Sequence, residues 1–535
     1  MFRKLLLYLN TIKYLKWTQI RYQLWYKVRS YWRAKTNFKY DFDKNLPAFK
    51  SLHYQQSIDE YNSYFGNNNF HFLNLSYNFN NGINWDFDGC GKLWTYNLNY
   101  FEFLNQNNAE QYKVEFENLI NDFTTKIQFL KNANEPFPTS LRITNWIKYF
   151  TSNQIYRKDW MTSLYCQCFV LIDNIEYHLL GNHLLENGFA LTNAGIFFQS
   201  KDFFTRGKGI LEKELNEQIL SDGAHFELSP MYHNLMLYRL LDTIQFLKYN
   251  THLFKQFGDK NERFLYFLEE KASIMCSWLS AMMMEDDDIP HFNDSTYNIA
   301  PNAVHLLEYA KSLEINVCKI SLDDSGYKRL QNATFDILVK SGKIGPDYIP
   351  GHAHADSLSF VMYIKNKPFI IDPGITTYEK NKTRQLERST SNHNTVCVNG
   401  DDSSQIWGGF RVGKRSKAFI SSYSSTNLEA YHTGYNTRVG RLIIIQENTC
   451  IIEDNILNQS GSAFLHFHPD IEVICEKNTL ISENVKIIFE NVTSVSLHTY
   501  NASSGFNQYR KATKATIQFS SKLKSTIKFE DTVFN

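Results

Sequence analysis

The stretch PGHAHADSLSFVMYIKNKPFIIDPG, residues 350–374, decides how the second half of the chain folds. Its β-branched and aromatic residues form two short runs, which predict two strands joined by a turn at Lys365–Lys367. His352 and His354 precede the first predicted strand, and Asp372 follows the second. Polar side chains gathered around an apolar strand pair indicate a functional site, because the packing of the strands does not require them there.

Some of these side chains are candidate zinc ligands. His352 and His354 are two residues apart, so in an extended segment they point to the same side. Further along, ERSTSNHNT at 387–395 adds His393. Imidazole and carboxylate groups converging from separate strands suit a tetrahedral zinc ion, which makes His354, Asp372 and His393 the candidate set. Their spacing matches no compact zinc motif, and hydrogen-bonded loop residues are the alternative.

The composition predicts a large folded protein. The chain has 535 residues, of which 43% are hydrophobic and 15% aromatic, enough for an extensive core and for two or more domains. Its net charge of +1 creates no global field that would attract nucleic acid, so an acidic substrate must be held by local groups. The eight scattered cysteines include no C-x-x-C pair, which favours packed or free thiols and a reducing compartment.

The N-terminal segment is basic and aromatic, with no acidic residue before Asp41. The apolar run Leu5–Leu9 is too short for the core of a signal peptide, and no small-residue cleavage site follows it. Its spacing indicates a basic amphipathic helix that could lie on an anionic membrane surface. The favoured interpretation is that Leu, Tyr and Trp pack on the body of the protein while the cations stay solvated.

The apolar pattern then changes once along the chain. Between about Phe101 and Leu313 apolar residues recur every three or four positions, which predicts many antiparallel helices in an (α/α) toroid or a bundle. From about Phe335 the period is two, and IIIQENTCIIEDNI at 443–456 is typical of a hairpin in an antiparallel β-sandwich. We therefore predict an N-terminal segment at 1–90, a helical domain at 91–325 and a stranded domain at 326–535, with the boundary between Glu314 and Phe335.

The helical part carries a first polar cluster in GNHLLENG, residues 181–188. Asn182 could cap a helix there, and His183, Glu186 and Asn187 share one helical face through their spacing of three and four. An amide, an imidazole and a carboxylate would then face the same way. A capped helix with a solvated polar face is the alternative.

A second cluster is DGAHFELSPMYH at 222–233. Ser229 is the predicted N-cap and Pro230 the first residue of a helix, which places Tyr232 in the first turn. The positive end of the helix dipole would favour the phenolate, so Tyr232 is a candidate proton-transfer group. A half-buried tyrosine with a hydrogen-bonded hydroxyl is the alternative.

These motifs together resemble the heparinase II/III family of polysaccharide lyases, which includes alginate lyase and heparinase III-like members. The resemblance runs from about Leu93 to Thr395, and it rests on PFPTSLRITNWI at 136–147, NHLLENG at 182–188, the D-G-x-x-x-E-x-S-P-x-Y-H run at 222–233, DIPHFNDS at 288–295, and GHAHADSLSF, D-P-G and S-N-H-N-T at 351–395.

The resemblance implies an N-terminal (α/α) toroid, a C-terminal antiparallel β-sandwich, and β-elimination on an acidic polysaccharide bound between them. Tyr232 would be the acid and also a plausible base, and Asn182 and His183 would engage the uronate carboxylate. His352 would assist in charge neutralisation or proton abstraction. The implied substrate-binding residues are Glu186, Asn187 and Tyr378, and the implied structural zinc would be held by His354, Asp372 and His393.

Other functions remain open at this point. A uronyl C5 epimerase would begin with the same proton removal, and a non-catalytic protein of exopolysaccharide assembly could bind a glycan without turnover. The family resemblance favours the periplasm, whereas the lack of a recognisable signal peptide favours a cytoplasmic or membrane-peripheral location. The sequence does not indicate an oligomeric state.

Overall fold

A computed structural model describes residues 2–47, 49, 52–258, 261–284 and 289–530. Asp288, the first residue of the DIPHFNDS motif, lies outside the described residues. The α-helices are α1 Phe2–Ile12, α2 Trp17–Lys35, α3 Lys92–Tyr100, α4 Lys113–Lys126, α5 Pro136–Asn153, α6 Lys158–Asp173, α7 Gly181–Phe197, α8 Lys201–Gln218, α9 Pro230–Tyr249, α10 Thr251–Phe254, α11 Asn261–Met282, α12 Ala303–Ser312 and α13 Lys382–Glu387. Within these residues no helix is long and apolar enough to cross a membrane.

The strands are β1 Asn69–Phe72, β2 Leu75–Asn78, β3 Tyr327–Gln331, β4 Phe335–Lys340, β5 Phe360–Ile364, β6 Lys367–Ile370, β7 Val396–Val398, β8 Ile406–Trp407, β9 Arg411–Val412, β10 Ala418–Tyr423, β11 Asn427–His432, β12 Val439–Gln446, β13 Thr449–His466, β14 Ile474–Glu476, β15 Thr479–Ser482, β16 Val485–Gly505 and β17 Gln508–Phe529. A helical N-terminal region is thus followed by a sheet-rich C-terminal region, as the sequence pattern predicts.

Helix starts agree with the sequence where a side chain caps the helix. The Ser229 hydroxyl accepts a hydrogen bond from the Tyr232 backbone N–H, and Pro230 opens α9 as predicted. Asn182, by contrast, is no cap: α7 follows Leu180, which has a φ of 66°, and Asn182 lies in its first turn. The α5 helix begins at Pro136, because proline suits the first helical position.

Two main antiparallel sheets form the C-terminal region. One has the order β3-β4-β5-β6, and the other the order β10-β11-β12-β13-β17-β16-β15-β14, with β7 also pairing with β13. The hairpin predicted at 443–456 is confirmed, since Gln446 pairs with Thr449. The predicted turn after β5 is confirmed too, with Lys365 and Asn366 both at positive φ, as a tight hairpin turn requires.

Strand β4 has hydrophobic cores on both of its faces, which is why all six of its residues are buried. Phe335, Ile337 and Val339 belong to the core that joins the two sheets. The alternating residue Leu338 packs instead with Leu228 and Trp278 of the helical region. The four-stranded sheet therefore carries the helical region on one face and the larger sheet on the other, and it fixes the loops at its ends relative to both.

The packing of helix α2 is in part the reverse of the expected one. On α2 the cations Arg29 and Arg33 face the body and pair with Asp173, at 3.1 and 2.6 Å. Trp25 and Trp32 are exposed. The interpretation that Leu, Tyr and Trp pack on the body while the cations stay solvated is therefore wrong for these arginines and tryptophans, because α6 ends in a carboxylate that attracts the guanidinium groups. It holds for Tyr22 and Tyr26, which contact Tyr177 and His178.

Candidate active site

The candidate site lies where the start of α9 meets two loops of the sheet-rich region. Tyr232 is in the first turn of α9, His352 is in the loop between β4 and β5, and Tyr378 lies between β6 and α13. The Tyr232 and Tyr378 hydroxyls are 3.0 Å apart. The rings of Tyr232 and His352 stack with their centroids 3.9 Å apart. Tyr232 thus contacts two side chains that lie more than a hundred positions away in the sequence.

Asp294 joins the surrounding groups and is fully buried. One carboxylate oxygen is 2.7 Å from His352 Nδ1 and the other is 2.8 Å from His354 Nε2. Arg384, on α13, donates to both oxygens, one of them at 2.6 Å. Burial alone would raise the pKa of Asp294, but Arg384 and the two histidines hold it well below its ordinary value. Asp294 is therefore ionised.

An ionised Asp294 fixes the orientation of His352. Because a carboxylate only accepts hydrogen bonds, His352 donates through Nδ1 and leaves Nε2 as an acceptor in the neutral ring. The side chain of His352 keeps 12% of its surface exposed. Nε2 is therefore the ring atom that can take a proton when the imidazole is neutral.

The phenol of Tyr232 is neutral, contrary to the expectation of a stabilised phenolate. Burial raises the pKa of Tyr232 well above its ordinary value, and the hydrogen bond from Tyr378 only partly offsets this. Burial likewise raises the pKa of Tyr378 well above the usual range. Desolvation thus outweighs the helix dipole at the start of α9. Tyr232 holds a proton that it can donate.

The start of α7 forms a second side of the site. Asn182 is almost fully buried, and its side-chain oxygen has no hydrogen-bond partner among the described residues. His183 is partly exposed, and its Nδ1 is 2.9 Å from Glu176. Burial alone would lower the pKa of His183, but Glu176 more than offsets this and the pKa is raised. Glu176 thus stabilises the protonated form of His183, and in that form the imidazole at the start of α7 favours an anionic ligand.

Glu227 connects the two sides and was not singled out from the sequence. Its carboxylate lies 3.6 Å from His352 Nε2. The Glu227 carboxylate also lies close to Gly181: a Cβ atom added to Gly181 would be 3.1 Å from Glu227 Oε1. Burial raises the pKa of Glu227, and the neighbouring histidines and the Asn182 N–H only partly offset this. Its place in the D-G-x-x-x-E run was the available signal.

Two predicted substrate-binding residues are placed differently. Asn187 is fully buried, and its amide donates at 3.0 Å to Ser140 and to Glu176. Glu186 is buried against Arg239, 3.4 Å away. Their hydrogen bonds go to the protein interior, so both residues support the α7 end of the site instead of lining it. Of the helical face predicted from the spacing, Glu186 and Asn187 point inward, whereas His183 is partly exposed.

The predicted zinc ligands are in contact but do not converge on one point. His354 Nδ1 and His393 Nε2 are 3.2 Å apart, close to the separation of two ligands that each lie about 2.0–2.1 Å from a tetrahedral zinc. Asp372 does not face that gap, because it accepts from His393 Nδ1 at 2.8 Å. Among the described residues no three His, Cys, Asp or Glu side chains are placed to hold a metal ion. Two of the three donors fit zinc and Asp372 does not.

Asp294 and Arg384 were missed by sequence reasoning for different reasons. Asp294 stands within the FNDS motif, so a signal existed, but nothing local assigns it to His352, which is 58 residues away. Arg384 lies in a polar segment without pattern, 90 residues from its partner. Only the folded chain brings the two charges together.

A helical region followed by a sheet-rich region is an architecture that this chain shares with solved structures of heparinases. The fold is similar to a crystal structure of heparinase III, with a TM-score of 0.65, 18% identity and coverage of 84% of this chain and 80% of that one. It is also similar to heparan sulfate lyase HepC from Pedobacter heparinus, with a TM-score of 0.55, 16% identity and coverage of 87% and 81%.

Comparison with curated protein sequences also finds heparin-sulfate lyases. A heparin-sulfate lyase of Bacteroides thetaiotaomicron is 23% identical over 373 residues, which cover 60% of this chain and 51% of the relative. One of Pedobacter heparinus is 25% identical over 262 residues, covering 42% and 37%. The chain thus spans about half or less of the length of these relatives.

The family assignment rests on both regions of the chain. The heparinase II/III N-terminus matches residues 17–314, and the heparinase II/III-like C-terminal domain matches residues 315–530. This chain belongs to the heparinase II/III family.

Proposed function

We propose that the protein is a polysaccharide lyase that cleaves an acidic, uronate-containing polysaccharide by β-elimination. The observation that carries the proposal is the contact of Tyr232, Tyr378 and His352, which joins a neutral phenol to an oriented imidazole at a junction of the two regions. The names of the curated relatives, heparin-sulfate lyases, support a glycosaminoglycan substrate. Removal or remodelling of an exopolysaccharide is a consistent setting.

His352 is the proposed base. Its Nε2 takes the proton from C5 of the uronate, the electrons of that bond form the C4–C5 double bond, and the C4–oxygen bond breaks. Asp294 holds the ring by accepting from Nδ1, and it stabilises the imidazolium that forms. Arg384 keeps Asp294 ionised during this step.

Tyr232 is the proposed acid. Its hydroxyl retains its proton because burial raises its pKa, and it donates that proton to the departing C4 oxygen. The Tyr378 hydroxyl, 3.0 Å away, can orient the phenol and pass a proton back to it.

The start of α7 is the proposed binding site for the uronate carboxylate. Proton removal next to a carboxylate builds up negative charge, which needs hydrogen-bond donors aimed at it. His183, whose protonated form Glu176 favours, can supply a positive charge, and the side-chain amide of Asn182 can supply a hydrogen-bond donor. Because the pKa of Glu227 is also raised, its carboxyl can be neutral and donate to the same anion.

The finer architecture belongs to the same proposal. We propose that α3 to α12 form an (α/α) toroid and that the two main sheets form a β-sandwich. The hydrophobic core shared by the two sheets supports the sandwich. The packing of α7 against α5, α8 and α9 supports the toroid.

The decisive experiment is incubation with a panel of acidic glycans while absorbance is followed at the band of unsaturated uronates. A lyase creates that band and shortens the chain. An epimerase working in deuterated water would place deuterium at C5 without shortening the chain, and a binding protein would do neither. Absence of the band with every glycan that binds would contradict the proposal.

A further inference from the structure

Helix α2 presents an apolar face away from the protein, the reverse of an ordinary surface helix. The six side chains of this face are between 50 and 72% exposed: Trp17, Leu24, Trp25, Val28, Tyr31 and Trp32. At 3.6 residues per turn they fall within an arc of about 120°. We call these six residues the outer face of α2.

The opposite side of α2 is polar and fully engaged with the body of the protein. Gln19 donates to the Leu179 carbonyl at 3.1 Å, and Tyr26 donates to the Ile175 carbonyl. Arg29 donates to Asn174 at 2.6 Å. The orientation of α2 is therefore set by specific hydrogen bonds, and the helix cannot rotate to bury its outer face without losing them.

Helix α1 repeats the arrangement on a smaller scale. Leu5, Leu9 and Ile12 follow a spacing of four and three, so they share one helical face, and all three are about half exposed. On another side of α1, Thr11 accepts a hydrogen bond from the Trp407 indole at 3.2 Å. Two consecutive helices thus expose apolar faces while polar contacts hold them to the protein.

Charge identifies the occupant of this surface. Residues 1–40 contain ten Lys or Arg and no Asp or Glu. Three of the cations are exposed on this side of α2: Arg21 and Lys35 fall within the arc of the outer face, and Lys27 lies beside it. A second copy of the chain docked face to face would bring these like charges together without any acid to neutralise them.

Tryptophan, tyrosine and cations on one exposed helical face match the chemistry of a lipid headgroup region. We propose that α1 and α2 dock in the plane of an anionic membrane surface, with the outer face of α2 in the boundary between headgroups and acyl chains. The cations contact the lipid phosphates. This inference does not depend on the proposed lyase activity.

Flotation of the full chain with vesicles tests the proposal. Binding is expected to vesicles of phosphatidylcholine mixed with phosphatidylglycerol, and it should weaken in pure phosphatidylcholine and at high salt. The triple change Leu24→Ser, Trp25→Ser and Trp32→Ser should weaken binding about tenfold or more. Exchanging the three cations as Arg21→Glu, Lys27→Glu and Lys35→Glu should remove the preference for the anionic lipid.

A matched control removes other exposed apolar side chains. Val114→Ser, Phe129→Ser and Tyr266→Ser lie outside α1 and α2 and are at least as exposed, so this variant should float like the original protein. Unchanged melting temperatures must accompany each comparison.

Fluorescence localises the contact. Of the nine tryptophans, only Trp17, Trp25 and Trp32 are exposed, and all three lie on α2. Brominated lipids should therefore quench a fraction of the emission that disappears in the α2 variant. The proposal fails if the original protein does not float, or if the α2 variant floats equally well. It also fails if the outer face instead drives a concentration-dependent dimer without vesicle binding.

Discussion

Tyr232 shows how desolvation decides the role of a single residue. The start of a helix favours a negative charge by up to about 1–2 kcal/mol, whereas a buried phenol loses more than that on ionisation. The pKa of Tyr232 is raised as a result, which suits the acid role proposed for this residue.

Replacing Tyr232 with Phe should leave folding and glycan affinity intact but lower kcat by about a hundredfold or more, because the leaving oxygen loses its proton donor. Steady-state kinetics with a glycan identified by the absorbance assay measures the effect. Tyr266→Phe, at an exposed position, is the matched control. Turnover at the original rate would transfer the acid role to Tyr378.

Asp294 is the residue on which orientation of His352 depends. Asp294→Asn should lower the free energy of unfolding by about 3–5 kcal/mol, because it leaves the buried Arg384 unpaired, and it should also reduce turnover. Urea unfolding gives the first value and kinetics the second.

The control for Asp294 is an ion pair of the same type at the surface. Asp470→Asn breaks the exposed pair with Arg510 and should cost about 0–1 kcal/mol. Adding Arg384→Met to Asp294→Asn should cost less than the sum of the single changes, since the stranded charge is gone. If the cost of the double change equals the sum of the two single costs, Asp294 and Arg384 do not stabilise each other, and the proposed ion pair is wrong.

Zinc binding at His354, Asp372 and His393 is predicted from the sequence alone, and it requires Asp372 to leave its hydrogen bond with His393 and turn towards the gap between the two histidines. Elemental analysis of purified protein should find about one zinc per chain, and chelation should lower the melting temperature. His393→Ala should then reduce stability more than it reduces the turnover of the molecules that stay folded. The prediction is wrong if the purified protein contains no zinc and its melting temperature is unchanged after chelation. Hydrogen bonds alone would then hold these three side chains in place.

At the scale of single elements, strand β11 places His432 in the interior of the sheet-rich region. Burial lowers the pKa of His432 to about 3. Its Nδ1 accepts from the Gly434 N–H at 3.2 Å, so the ring is neutral in the folded protein. In the unfolded chain this histidine becomes protonated at a pH near 6.5. Below that pH the unfolded chain therefore binds a proton that the folded protein does not.

The contribution of His432 should be fully present above about pH 6.5 and decline as the pH falls towards 3, by up to about 1.4 kcal/mol per pH unit. The stability difference between the original protein and His432→Gln should therefore shrink between about pH 7.5 and about pH 5. Urea unfolding at both pH values measures it. His498→Gln, at an exposed position, should change stability little at either pH. A difference that grows at low pH would contradict the sign.

At the scale of the whole molecule, β4 transmits the packing of one region to the site. Leu338 faces the helical region and Ile337 faces the larger sheet. Each change to Ala should cost about 2–5 kcal/mol through the cavity it leaves. Leu338→Ala should also reduce the turnover of folded protein, because it loosens the loops that carry His352 and Tyr378 against Tyr232.

Ile337→Ala is the matched control for that experiment, with a similar loss of buried volume in the same strand. Kinetics on folded protein, at a temperature below both melting transitions, separates the two variants. Equal turnover in both would mean that contacts at the site itself hold the two regions in register.

The sequence alone determined what depends on neighbouring residues. The change of apolar period gives the order of helices and strands, the Ser229–Pro230 start of α9 follows from local hydrogen bonding, and Tyr232 and His352 were recognisable within motifs. The domain boundary between Glu314 and Phe335 stays a prediction; α12 ends at Ser312 and β3 begins at Tyr327.

The tertiary structure decided what depends on distant residues. Local pattern fixes backbone angles and periodicity, but it does not state which charge meets which after packing. The pairing of Asp294 with Arg384 and the inward turn of Asn187 arise only when separate elements dock. Helix α2 is a further example. Its two faces are evident in the sequence, but the sequence does not show which face is buried. The carbonyl and carboxylate groups at the end of α6 and in the loop after it bind the polar face, and the tryptophans therefore point outward.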